Sequence, residues 1–247
     1  MTPPSTSVKQ GPGLEKPSGA RRPWLARHWL AIFNSMVGLF VLGALLAPAL
    51  MRAGYTGPAT ALYTLYGFTC HQLPQRSYFL FGQKLMYPMD KILSAWPGAT
   101  DFFEQRAILG DPVFGYKVAI ANRCSAIYSS ILLVGVLFGL TRRQIRPLSL
   151  KGVFILSLPM ALDGVSHMVS ELTGLGFRDT NAWLQALTQN AFPLDFYVGD
   201  ALGSFNWLMR TVTGALFGIA LVWMVYPTFR LAFRSRPSRS VQAPAAK

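Results

Sequence analysis

The chain has 247 residues, 51% of them hydrophobic and 13% charged, with 23 Lys and Arg against 10 Asp and Glu for a formal net charge of +13. Soluble domains carry about 25% charged residues, so the composition argues against a soluble enzyme; it also excludes a disordered chain, and two cysteines exclude a disulfide scaffold. The apolar residues gather into long runs, and the class they indicate is a polytopic membrane protein.

Residues 1–28 form a flexible basic tail carrying Lys9, Lys16, Arg21, Arg22 and Arg27. A membrane helix needs about 20 mostly apolar residues, and four stretches supply them: 29–51, 119–140, 152–174 and 204–227. Between the first two, residues 58–72 are apolar and aromatic but too short to span. They read as a re-entrant or interfacial helix, limited by Pro74. Residues 83–117 contain Pro88, Pro97, Gly98, Gly110 and Pro112 and read as an irregular external loop, with a short amphipathic piece near Asp101–Leu109. A second basic cluster, Arg142, Arg143, Arg146 and Lys151, separates spans two and three, and a third fills the tail 233–247 and the residues just before it.

The expected fold is therefore all-α and integral to the membrane: one bundle over 29–232, with four transmembrane helices and one short re-entrant or interfacial helix. The basic clusters put both termini in the cytoplasm by the positive-inside rule and make the chain a multi-pass protein of the cytoplasmic (plasma) membrane. They read as contacts with lipid headgroups of the bilayer, not with nucleic acid. Gly135 and Gly139, like Gly214 and Gly218, have the small-x-x-x-small spacing that lets helices approach closely. A homo-dimer or a place in a larger membrane complex fits the same features.

Ionisable groups inside a span cost about 2.5–3.5 kcal/mol at the bilayer centre, so their placement carries information. Asp163, His167 and Glu171 follow each other at intervals of four along one side of span three. At about 1.5 Å per residue, Arg210 in span four and Cys124 in span two lie about 8–9 Å below the outer edge, near the depth of His167. Asn206, Arg210 and Thr213 share a face of span four. Cys70, His71 and Gln72 end the re-entrant segment on the same side. Cys70, His71, Cys124 and His167 thus form a candidate set of metal ligands, suited to zinc, copper or iron. Gln72, Arg76, Arg123, Asp163, Glu171, Asn206 and Arg210 are the supporting polar groups. Other readings stand beside this one. Cys70 and Cys124 form a disulfide or a redox pair. Asp163 or Glu171 makes an ion pair with Arg210. Asp163, His167 and Glu171 form the relay of a small transporter or channel. The chain is an accessory subunit of a membrane complex. No CxxC, HExxH, GxGxxG or P-loop pattern is present to choose among them, and no catalytic residue is assigned.

Four segments resemble one family. Cys70-His71-Gln72-Leu73-Pro74-Gln75-Arg76-Ser77-Tyr78, with Gly82 following, resembles the first motif of an uncharacterised group of small bacterial and archaeal membrane proteins, the domain of unknown function 2085. Arg123-Cys124-Ser125-Ala126-Ile127-Tyr128 resembles its second, with Ala121 and Ala126 standing where the family pattern has Cys and Gly. Pro159–His167 resembles the third, and Asn206–Gly218 the fourth. The resemblance covers about residues 60–220 and implies a shared outer-half site without implying its chemistry.

Overall fold

The computed structural model describes residues 24–141 and 145–234. Residues 1–23 and 235–247, and with them most of both tails, lie outside the described residues, as do Arg142 and Arg143. The elements in chain order are α1 (Trp24–Arg52), α2 (Thr56–Tyr66), a 3-10 turn at Pro74–Arg76, β1 (Ser77–Leu80), α3 (Met89–Ala95), α4 (Phe102–Ala107), β2 (Gly110–Asp111), β3 (Gly115–Ala121), α5 (Asn122–Thr141), α6 (Leu150–Leu172), α7 (Phe177–Thr180), α8 (Ala182–Leu187), α9 (Leu194–Tyr197) and α10 (Phe205–Arg234). Helices α1, α5, α6 and α10 are long and apolar enough to cross a membrane.

These four helices match the four expected spans, with different ends. Helix α10 runs on to Arg234, and α5 starts at Asn122 instead of 119. The second difference has a clear cause. Val118, Ala119, Ile120 and Ala121 are almost completely buried in β3, the centre of a three-stranded antiparallel sheet of order β1-β3-β2. A short apolar run buried on both faces lacks alternation, so its periodicity cannot be told from the start of a helix. The chain is mostly helical with four candidate spans, as expected, and this small sheet is added to it; Cys124 moves up to the first turn of α5.

Where an irregular loop is expected over 83–117, the chain forms the short helices α3 and α4, strand β2 and the start of β3, joined by irregular segments. Ser77 pairs with Ala121, Phe79 with Lys117 and Gly110 with Tyr116. The amphipathic piece expected near Asp101 is α4. Its Asp101 side chain accepts from Phe103 N and Glu104 N at 2.7 and 2.8 Å, while Glu104 accepts from Asp101 N at 3.1 Å, a capping box. The helix expected over 58–72 is shorter, ending at Tyr66. Ala59, Tyr63 and Tyr66 are its buried face, and the Tyr66 hydroxyl donates to Phe40 O of α1. Beyond Gly67 the chain is irregular. Gln72 takes a left-handed backbone (φ 55°) and ties the loop down by donating from Nε2 to Tyr63 O and Ala119 O, both at 2.9 Å.

Helix α10 packs along both α5 and α6, and α1 packs along α5 and the sheet. A Cβ on Gly214 would lie 2.9 Å from Arg123 O, and one on Gly218 would lie 2.6 Å from Ile127 O. Both glycines therefore let α10 touch the backbone of α5, as their spacing predicts. At one end of the bundle Trp29, Phe138, Val222 and Tyr226 form an aromatic core. At the other, Ala44 and Ala47 pack on Tyr63, Tyr66 and β3. That second end gathers the starts of α5 and α10 with the end of α6, and it holds the polar groups.

Candidate functional site: an arginine–carboxylate chain around a buried chamber

Helix α6 buries Asp163, His167 and Ser170, spaced so that they share one face. Helix α10 buries Asn206, Arg210 and Thr213 in the same way. The start of α5 adds Asn122 and Arg123, the 3-10 turn adds Arg76, α7 adds Arg178, and the loop before α10 adds Asp200.

Together the charged side chains form two ion-pair groups joined through the His167 ring. Arg123 Nη2 donates to Asp163 Oδ2 at 2.5 Å, and Arg178 Nη2 donates to Asp163 Oδ1 at 2.7 Å. Arg178 Nη2 and Arg210 Nη2 approach His167 Nε2 at 3.1 and 3.2 Å. A guanidinium only donates, so the His167 ring serves as the acceptor; Arg210 Nη2 also lies 3.4 Å from Nδ1. Arg210 also pairs with Asp200 Oδ1 at 2.7 Å, Asp200 Oδ2 accepts from Arg76 Nε at 3.2 Å, and Arg76 pairs with Glu171. Burial alone would raise Asp200, but Arg210 and Arg76 hold its carboxyl below the usual range. Asn206 fixes the α7 loop by donating to Arg178 O at 2.6 Å and Gly199 O at 3.0 Å.

Four guanidiniums thus meet three carboxylates. A chamber of about 210 Å³ opens among them, lined by His71, Arg76, Arg123, His167, Glu171 and Arg210, with the start of α5 in its wall. Among the described residues, Arg210 Nη1 and Arg123 Nε are buried with no hydrogen-bond partner, and Arg210 as a whole is 2% exposed. His71 Nδ1 accepts from Leu73 N at 3.1 Å. Burial, with Arg76 and Arg210 adding to it, pushes His71 down to about 3. A second, outer cavity of about 840 Å³ is lined by Asp90, Asp179, Asp200 and Gln75 among others, and it shares Arg76 and Glu171 with the chamber.

The expected site residues therefore fall into two groups. Cys70 and Cys124 are free thiols packed with the Tyr63–Tyr66 core. His71, Arg76, Arg123, His167, Glu171 and Arg210 surround the chamber, while Asp163 and Asn206 brace it and Gln72 anchors the loop beside it. Among the described residues, no three His, Cys, Asp or Glu side chains are gathered as a metal site. The four-ligand Cys/His set is not assembled as such, because arginines occupy the space around His167. The ion pairs expected between Arg210 and Asp163 or Glu171 are also redistributed. Asp163 takes Arg123 and Arg178, Glu171 takes Arg76, and Arg210 takes Asp200. Arg178 and Asp200 were not read from the sequence as site residues. Their one signal there was the presence of a lone arginine in the acidic segment 175–203.

Comparison with known proteins agrees with this picture of a membrane protein. The chain is 24% identical over 212 residues to Uncharacterized protein MJ1492 of Methanocaldococcus jannaschii, covering 83% of this chain and 94% of that protein. No solved structure matches it. The matched family is described as a predicted membrane protein family, and its match spans the second, third and fourth motifs, from Cys124 through Asp163 and His167 to Arg210. The first motif, at 70–78, lies before the matched residues. Residues 112–224 match the model of the family that the motifs resemble, described as Predicted membrane protein (DUF2085).

Proposed function

We propose that this membrane protein binds a small oxyanion of the phosphate type in the inner chamber. The observation that carries the reading is the chamber wall, which sets three arginines, Arg76, Arg123 and Arg210, against one carboxylate, Glu171. Two of these arginines keep a buried nitrogen without a hydrogen-bond partner among the described residues, Arg210 Nη1 and Arg123 Nε, and a buried donor left unsatisfied costs about 1–3 kcal/mol, more when charged. A tetrahedral anion accepting from the guanidiniums would offset the excess positive charge through charge-assisted bonds. The start of α5 adds the positive end of a helix dipole. The volume suits the ligand: water occupies about 30 Å³ per molecule, so the chamber takes an oxyanion and a few waters.

In this reading His167 and His71 are neutral acceptors that space the guanidiniums, and Asp163 and Asp200 hold the arginines in place. Both termini are assigned to the cytoplasmic face of the plasma membrane, because Arg146, Lys151 and Arg230 lie at the end of the bundle opposite the chamber. The chamber then faces the outer side, and α2 lies at the outer interface.

The test is calorimetric titration of the detergent-purified full chain with inorganic phosphate, repeated for Arg210→Met. The expected result is saturable binding that falls at least tenfold in the variant. Absence of binding by the folded wild-type protein at millimolar phosphate would overturn the proposal.

A further inference from the structure

Helices α2 and α4 enclose a groove of about 510 Å³ that lies apart from the chamber. Tyr63, Phe68 and Gln72 line one side of it, and Phe103, Arg106 and Leu109 the other. Phe68 is 84% exposed and Phe103 74%. Arg106 Nη2 donates to Gly67 O. Lys117, completely buried beside the groove, donates from Nζ to Gln72 O at 2.9 Å and to Arg106 O at 2.5 Å. Among the described residues neither cation is paired with a carboxylate, and no Asp or Glu lines the groove. Burial, with the Arg106 charge adding to it, pushes the Lys117 amine down to about 7. The height of the groove follows from its neighbours. Phe40 of α1 lies against Tyr66 and Tyr128, with ring centroids 4.7 and 4.4 Å away. Tyr128 stands six residues past the start of α5, about 9 Å along the helix at about 1.5 Å per residue. Tyr66, the last residue of α2, is therefore level with the inside of a candidate span.

We propose that the α2–α4 groove holds one anionic phospholipid of the leaflet on the chamber side, with its phosphate on Arg106 and the upper part of its acyl chains along Phe68 and Phe103. A basic pocket beside membrane helices suits a lipid phosphate, and a charge-assisted bond from the guanidinium is among the stronger polar contacts available. Two cations without an acid favour a net negative headgroup, because a zwitterionic one brings its own cation. Two phenyl rings exposed at the rim, at this height, favour an anion with hydrocarbon attached over free phosphate.

The groove and the chamber share no lining residue. The lipid site therefore stands whether or not the chamber takes an oxyanion.

The experiment reconstitutes the full chain in phosphatidylcholine vesicles that carry a trace of phosphatidylglycerol with a diazirine in its upper acyl chain. A parallel sample carries the same diazirine on phosphatidylcholine. After irradiation, the labelled residues are mapped by peptide mass spectrometry. The expected result is labelling within residues 60–68 and 103–109 that is at least fivefold stronger with the phosphatidylglycerol probe, and that millimolar inorganic phosphate leaves unchanged. Arg106→Gln is expected to lower it at least fivefold, and Arg106→Lys to recover most of it. Phe103→Ser removes an exposed ring and is expected to lower it at least threefold; it carries the test should Arg106→Gln fail to fold. Equal labelling by the two probes would overturn the proposal. So would labelling no denser at the groove than at exposed Leu162 of α6, displacement by inorganic phosphate, or unchanged labelling in folded Arg106→Gln or in Phe103→Ser.

Discussion

Replacing Asp163 by Ala tests whether the charge chain holds this end of the bundle together. The Asp163 side chain is 2% exposed and accepts from Arg178 at 2.7 Å and Arg123 at 2.5 Å. Its removal leaves the Arg178 side chain, 7% exposed, as a buried cation without an acidic partner. Breaking a buried pair by deleting one member costs about 3–5 kcal/mol. The Arg123 side chain is 25% exposed, so solvent takes up part of its loss, and the two costs do not simply add. The expected destabilisation is about 3–5 kcal/mol, some two to four decades in the folding equilibrium at about 1.4 kcal/mol per decade. Reversible unfolding in mixed micelles, followed by tryptophan fluorescence, measures it. Leu162→Ala is the control, one residue away and 61% exposed on the outer surface of α6, with an expected cost below about 1 kcal/mol. Adding Arg178→Met to Asp163→Ala removes the orphaned charge, and the double variant is expected to be more stable than Asp163→Ala alone. If Asp163→Ala lies within about 1 kcal/mol of wild type, or if the double variant is no better than the single, the network is not what braces the site.

Further outcomes follow from other features. Gly218→Ala drives a methyl group toward Ile127 O and is expected to cost about 1–3 kcal/mol as an overpacked contact. Gly139→Ala, whose new Cβ would meet the flexible tip of Leu30 at 3.2 Å, should stay within about 1 kcal/mol in the same assay. His71 is held down to about 3 by burial and by Arg76, Arg210, Arg123 and Lys117, whereas the unfolded chain takes up this proton near pH 6.5. The unfolded state therefore binds more protons between those values, and stability falls as pH drops from about 6.5 toward 3. A stability–pH profile of His71→Asn should be flatter than wild type across that window. Gln72→Ala removes two buried hydrogen bonds to Tyr63 O and Ala119 O and should lower stability by about 1–3 kcal/mol, with faster amide exchange in β3.

The four long helices were legible because hydropathy over about 20 residues is a strong local signal, and polar residues within those runs stood out against it. Asp163, His167 and Arg210 were found that way, and they do meet. The partners of these residues were harder to see. Arg178 and Asp200 sit in loops, where a charge is unremarkable, and only the folding of the segment after α6 back under α10 makes them buried. The mistaken ion pairs have the same origin: depth arithmetic ranks helix residues against each other and is blind to a loop that inserts between them. The sheet was hidden for a different reason. Residues 118–121 form an apolar run directly before Asn122 and Arg123, and two polar residues near the start of a span do not by themselves mark a change from strand to helix. The metal reading arose from counting soft ligands at one depth without counting the arginines that share it.

The Arg76–Glu171 pair is the boundary common to the two cavities. A doorway built from one cation and one anion carries no net charge, so it sets up no electrostatic barrier of its own. An anion arriving from the wide acidic side is repelled by the carboxylates around it until it reaches Arg76. There it can take the place of Glu171, whose side chain is 48% exposed and free to swing into water. On the anion reading, entry would be a ligand exchange on the Arg76 guanidinium, with Glu171 as the group displaced. Such a door competes with what it admits: weak anions would leave it shut, and only a ligand that out-binds a carboxylate on Arg76 would pass into the chamber.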